Sequence, residues 1–214
     1  MIEEDRKTYW NSYYASASRS ALERDNWISK HLKLFPPRCA IIEFGCGSGG
    51  ISEFLFRNGY SVTASDIAPA AVAALSLRVP ELNVLQIDIA QPMSFADSSY
   101  AVAVADLCLH YFELATTKRI LAEIGRILRP DGLLCARVNA ANDFNYGAGV
   151  GREVEPGFFE HNGHYKRFFD RKMVEQTFSG WRLLSLDSYT LSHLSKPKNV
   201  LELIARSPSF DTTI

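Results

Sequence analysis

IIEFGCGSGG, residues 41–50, decides how this chain is read. An apolar run carrying Glu43 passes straight into Gly45, Gly47, Gly49 and Gly50. Gly45, Gly47 and Gly50 satisfy G-x-G-x-x-G, the dinucleotide fingerprint, and Glu43, Gly45, Gly47 and Gly49 equally satisfy E-x-G-x-G-x-G. A glycine-rich turn from a strand into a helix lets backbone approach a ligand closely. The stretch points to a nucleoside-like ligand and leaves its identity open. A tight turn with no ligand is the plain alternative.

Outward from this turn, apolar runs alternate with helical patterns. Strands are expected at 40–44, 61–65, 83–87, 100–105 and 133–138. Helices are expected at 50–58, 68–77 and 116–128. The last rests on Ile120, Leu121, Ile124, Ile127 and Leu128 at i, i+3, i+4 spacing, with Pro130-Asp-Gly132 as its stop. The run Ala-Val-Ala-Val-Ala at 101–105 is apolar on both faces. Such strands, alternating with helices, imply a mostly parallel sheet covered on both sides, so the fold class is a doubly wound α/β domain. Ligands of such sheets bind beyond the carboxyl ends of the strands. Glu43, the glycines, Asp66, Asp88 and Asp106 all fall there.

Beyond residue 138 the rhythm changes. Residues 139–169 are polar and aromatic, 171–178 look helical, and 182–191 and 199–205 read as two strands. A short connection makes that terminal pair antiparallel, attached at one edge of the sheet.

The acids sharpen the reading of the turn. Asp66 closes the second strand, 21 residues after Gly45. A carboxylate there can accept from both ribose hydroxyls, or cap the helix that starts at Ala68. Asp88 closes the third strand; it can accept from an adenine amino group while Ile67 or Ile89 packs on the ring, or simply form a turn.

Composition limits the partners. The chain has 214 residues with a formal net charge of -1, 47% apolar and 22% charged. That suits a single domain with a sizeable core. It offers no basic excess for nucleic acid or an anionic membrane. No apolar run is long enough to span a bilayer, and the first nine residues lack the apolar region of a signal peptide. Cys39, Cys46, Cys108 and Cys135 form no C-x-x-C pair and read as reduced core thiols of a cytoplasmic protein.

The sequence at this point resembles class I S-adenosylmethionine-dependent methyltransferases. Glu43-Phe-Gly-Cys-Gly-Ser-Gly49, Asp66 and Asp88 look like that family's cofactor motifs. Asp106-Leu-Cys-Leu-His110 and Ile127-Leu-Arg-Pro-Asp-Gly132 look like its later ones. The likeness spans about residues 38–206 and is nearest to the small-molecule type. It implies a seven-stranded sheet with a C-terminal antiparallel pair. It also implies S-adenosyl-L-methionine as cofactor: Glu43, Gly45, Cys46, Gly47 and Gly49 face the methionine part and Asp66 the ribose, with Ile67 as a further cofactor contact. Asp88 and Ile89 then hold the adenine, with Asp106 and Leu107 beneath the cofactor. The fourth motif, Ala105-Asp-Leu-Cys, lacks the Asn/Asp-Pro-Pro-aromatic run that resembling enzymes use on bases and glutamine amides, which favours a small organic acceptor.

His110, just past the fourth strand, is the candidate base, with a structural histidine as the alternative. A base matters only for an acceptor that must lose a proton. His161 and His164 are three residues apart, but without a carboxylate constellation no metal is expected. Tyr111, Asn139, Tyr146, His164 and Phe168, with His110, are the candidate acceptor contacts. Tyr14, in the aromatic stretch Tyr9-Trp-Asn-Ser-Tyr-Tyr14, is a candidate cofactor contact. The expected organisation is one domain over 1–214, with a helical lid at 1–37 and a substrate-side insert at 139–170. Two other readings remain: a non-catalytic nucleoside-binding module, and a nicotinamide oxidoreductase. The second is weakened because no tyrosine has a lysine four residues on.

Overall fold

The computed structural model describes residues 3–16, 26–192 and 194–208. Its first strand, β1 (Ala40–Phe44), is buried on both faces: Ile41 and Ile42 point to opposite layers and are both fully buried. After the glycine turn come α2 (Gly50–Arg57), β2 (Ser61–Asp66) and α3 (Pro69–Arg78), whose Pro69 occupies the first turn, where its missing N–H costs nothing. Then follow β3 (Asn83–Gln86), β4 (Tyr100–Asp106), α4 (Leu114–Ile127) and β5 (Leu128–Asn139). The chain ends with α5 (Arg171–Thr177), β9 (Arg182–Leu191) and β10 (Lys198–Arg206). Before β1 lie α1 (Glu3–Ser16) and a 3-10 helix, Trp27–Leu34.

The main sheet has seven strands in the order β3-β2-β1-β4-β5-β10-β9. β1 to β5 run parallel, and β10 enters antiparallel between β5 and β9. The doubly wound class and the antiparallel C-terminal pair are therefore as expected. Ile42, Phe44, Ala103 and Ala136 form one core layer with Ile120 and Ile124 of α4 and Val174 of α5. Ile41, Val102, Val104 and Cys135 form the other with Leu55 of α2, Leu75 of α3 and Trp27.

Two expectations are corrected. The helix expected over 116–128 ends at Ile127, because Leu128 is already extended (ψ 143°) and begins β5. Pro130 to Gly132 then lie in an excursion within β5: Tyr100 pairs with Leu128, but Val102 pairs with Leu133.

Residues 139–169 are not plain loop either. They contain a three-stranded antiparallel sheet: β6 (Arg152–Glu155), β7 (Phe158–His161) and β8 (His164–Arg167). Both hairpins have two-residue turns. Asn162-Gly163 has positive φ at both positions (51° and 76°), the backbone that matches the twist of an antiparallel pair. Pro156-Gly157 turns the other, with Gly157 at φ 69°. This cap is fastened from below. Arg167 is buried, pairs with Glu155, donates to the Pro156 carbonyl at 2.8 Å and lies over the Phe158 ring. Glu155 also accepts from the Leu114 N–H at 2.9 Å, filling one of the open donors at the start of α4.

Within the proposed lid of residues 1–37, α1 and the 3-10 helix are helical; residues 1–2 and 17–25 lie outside the described part.

Candidate active site

The ends of β1, β2 and β3 stand side by side and open onto a crevice of about 400 Å³. Glu43 lies at its floor, buried, and accepts a hydrogen bond from the Ser52 hydroxyl. Burial pushes its carboxyl up to about 8; the Ser52 hydroxyl opposes this, and Asp106 and Asp66 add to it. Gly45, at φ 64°, could not carry a side chain, since a Cβ would stand 2.7 Å from that of Cys108. Gly47 faces the Tyr14 hydroxyl in the same way.

Asp66 fastens this turn. One carboxylate oxygen accepts from the Gly47 N–H and the other from the Ala68 N–H, each at 2.9 Å. Burial raises its pKa and those two backbone donors hold it back. The capping alternative weighed from sequence is thus part of the structure, and the carboxylate still lines the crevice. Asp88 binds its own turn through the Ala90 N–H at 2.9 Å and receives Arg6 of α1 at 3.0 Å.

α1 lies across the opening. Trp10 meets Tyr111 edge-to-face at 5.2 Å, Arg6 lies over Phe112 at 5.1 Å, and Asn11 accepts from the Ala70 N–H at 2.9 Å. Tyr14 lines the crevice, its hydroxyl pKa raised first by burial and then by Asp66.

Deeper in, Asp106 is held by Arg137 through two hydrogen bonds, 2.7 and 2.8 Å. The guanidinium lies over Trp27 at 4.9 Å. Beyond it, the Tyr189 hydroxyl donates to Glu202 at 2.6 Å, and Glu202 also receives His31 and Lys30, at 2.8 and 2.9 Å. Burial alone would raise Glu202; hydrogen bonds from His31, Tyr189 and Lys30 outweigh it and hold the carboxyl at about 2. This chain of charges was missed in the sequence. Its signal was there: Arg137 and Glu202 each interrupt a buried, mostly apolar run, 133–139 and 200–205.

Of the residues named from sequence, Tyr14, Glu43, Gly45, Cys46, Gly47, Asp66, Ile67, Asp88, Ile89, Asp106, Leu107 and Tyr111 line the crevice. Gly49 does not; at φ 76° it packs on Leu75 and shapes the turn into α2. His110, Asn139, Tyr146, His164 and Phe168 do not line it either. His110 is buried behind Tyr111, ring centroids 4.3 Å apart, and burial, then Lys198 and Lys166, push its pKa well below the usual value. Asn139 is buried at the end of β5. His164 stacks on Tyr9 at 4.6 Å, Tyr146 lies over Lys198, and Phe168 is buried beside Phe159. His110 and Asn139 are thus buried away from the crevice, and His164 belongs to the β6–β8 cap itself.

Residues 42–136 match a family model described as a methyltransferase domain. Together with the seven-stranded sheet, the match makes the chain similar to class I S-adenosylmethionine-dependent methyltransferases. The human eEF1A lysine and N-terminal methyltransferase is 29% identical over 154 residues, which cover 63% of this chain. The malonyl-(acyl-carrier protein) O-methyltransferase of Enterobacter lignolyticus is 26% identical over 157 residues, or 73% of this chain. The chain spans only 22% and 58% of the length of these two relatives. Among solved structures, the 1,6-didemethyltoxoflavin-N1-methyltransferase of Burkholderia thailandensis, with 1,6-didemethyltoxoflavin and S-adenosylhomocysteine bound, shares the fold. Its TM-score is 0.71 at 19% identity, covering 97% of this chain and 87% of that one.

Proposed function

We propose that the chain transfers the methyl group of S-adenosylmethionine to a small organic acceptor in the cytoplasm. The observation that carries this reading is the row of carboxylates, Glu43, Asp66 and Asp88, at neighbouring strand ends over one crevice. The crevice also fits the cofactor in kind: bare backbone at Gly45 and Gly47, acceptors for hydroxyls and an amine, and apolar Ile67 and Ile89 for a flat ring.

In this reading Glu43 and the glycine turn hold the methionine part, Asp66 the ribose, and Asp88 with Ile89 the adenine. When bound, the cofactor supplies a methyl group already activated on a sulfonium. The protein's share is alignment and exclusion of water, and alignment alone is worth roughly 7–11 kcal/mol. Asp106, clamped by Arg137, and Leu107 form the floor. Trp10 and Tyr14 of α1 close the top. Tyr111 stands between the crevice and the cap, where the acceptor enters. Tyr14, Tyr111, Cys46 and Cys108 all keep their protons at neutral pH because burial raises their pKa values. None is poised to take a proton, and His110 lies off the crevice.

A near-neutral chain gives no support to nucleic acid or membrane as partner. Among the described residues no helix is long and apolar enough to cross a membrane. The test is transfer from methyl-labelled donor to a panel of small acids, amines, phenols and thiols, with lysine-bearing peptides as a control. Label in a small product supports the reading. Label in peptides alone overturns the acceptor class, and donor binding with no labelled product at all favours a non-catalytic module.

A further inference from the structure

Behind Tyr111, three elements bring polar side chains together without satisfying them. The His110 Nδ1 and both amide atoms of Asn139 are buried and have no hydrogen-bond partner. Both β8 and β5 pack against the 3-10 turn Leu109–Tyr111 that carries His110. β8 contributes Lys166, which makes no ion pair or hydrogen bond among the described residues. Its compensating charge is Asp143, but Asp143 is already committed. One Asp143 oxygen holds the Lys198 ammonium at 3.0 Å and the other accepts from the Asn199 N–H at 3.0 Å. Lys198 in turn lies over the Tyr146 ring at 4.2 Å. Two ammonium groups thus share one carboxylate, beside a neutral imidazole and an unsatisfied amide. Lys166 is half-buried and Lys198 buried, and such an excess of positive charge beside open polar groups is costly unless something negative completes it.

We propose that the layer between Tyr111 and the β6–β8 cap is an anion subsite in which Lys166, Asn139 and His110 receive a carboxylate or phosphate group of the methyl acceptor. The proposal rests on the methyltransferase reading and adds the acceptor's chemical class. Tyr111 is the shared wall. It lines the crevice and lies against His110, so an acceptor with its anionic end on Lys166 extends past Tyr111 toward the crevice. Asn139 lies two residues beyond Arg137 on the same face of β5, which continues the polar line from Asp106 outward. The cap is fastened by Glu155 on the start of α4, so the Lys166 strand is held in place without ligand.

The test uses the full chain with S-adenosylhomocysteine bound. Hexanoate, benzoate and phenyl phosphate are titrated against hexanamide, benzamide and phenol, following the His110 imidazole resonances by NMR. The anions are expected to shift His110 and their neutral partners to leave it unmoved. Whether the carboxylates or the phosphate ester bind more tightly separates the two sources of charge. Lys166→Met should weaken the anions about tenfold, the loss of one charge-assisted contact, with affinity for S-adenosylhomocysteine unchanged. Asn139→Asp, the same shape with a negative charge, should weaken them further. Equal behaviour of acids and amides, a silent His110, or an indifferent Lys166→Met overturns the subsite. Each of these outcomes leaves methyl transfer standing. That reading fails only where S-adenosylhomocysteine does not bind or the labelled-donor assay yields no product.

Discussion

Arg137 grips Asp106 with two parallel hydrogen bonds, and the two residues are also direct partners in the β4–β5 register. The pair sits at the floor of the crevice with only 4% of the arginine side chain exposed. Fork-to-carboxylate geometry of this kind fixes orientation as well as charge. Arg137→Met leaves Asp106 unpaired and removes the cation from the Trp27 ring. A loss of about 3–5 kcal/mol is expected, as for other broken buried pairs, read by urea denaturation. Arg137→Lys keeps the charge but not the fork and should recover only part of it.

Glu43 and Glu202 predict opposite pH dependences. Glu43 is raised by burial, so its contribution favours the folded state at low pH. Stability falls as pH rises from the usual 4.5 through about 8. Glu202, held at about 2 by His31, Tyr189 and Lys30, contributes above the usual carboxylate pKa and loses that contribution as pH falls toward 2. Glu43→Gln should flatten the decline between pH 5 and 8, and Glu202→Gln should flatten the acid limb. Denaturation midpoints across pH check both; unchanged profiles in the two variants reject these assignments.

The same shift couples donor binding to protons. A cationic donor favours ionised Glu43, so binding at pH 7 should release up to one proton. Calorimetry in two buffers of different ionisation enthalpy measures it. The release should vanish in Glu43→Gln, and equal heats for the wild type would mean that Glu43 is already ionised when the crevice is empty.

Asp66→Ala is expected to abolish donor binding. It also leaves the Gly47 and Ala68 N–H groups without their acceptor, at a cost of about 1–3 kcal/mol each where burial persists. Asp66→Asn retains one acceptor oxygen and should separate the two effects, folding nearly as the wild type while binding the donor weakly. A folded Asp66→Ala protein with normal affinity removes the ribose assignment.

The framework was legible in the sequence because its signals are local. Residues 40–44 and 100–105 are apolar on both faces, and the glycines, Asp66 and Asp88 fall where such strands end. The β6–β8 cap was less so: Asn162-Gly163 and Pro156-Gly157 are turn signals, but β6 buries no residue and β7 and β8 bury one each, so the segment reads as polar loop. Arg6 on Asp88, Tyr14 against Gly47 and the chain from Asp106 to Glu202 join residues far apart in sequence. No spacing rule reaches those contacts, although charges inside β5 and β10 mark where to look. His110 was assigned to the crevice by its position after β4. The 3-10 turn instead rotates it behind Tyr111, and only the packing of β8 on that turn reveals this.

The most direct measurement is a crystal structure of the chain with S-adenosylhomocysteine. The adenine should lie at Asp88 and Ile89, the ribose hydroxyls at Asp66 and the amino-acid end at the turn of Gly45 and Gly47. A vacant crevice at saturating ligand, or the ligand bound elsewhere with those carboxylates turned away, contradicts the account.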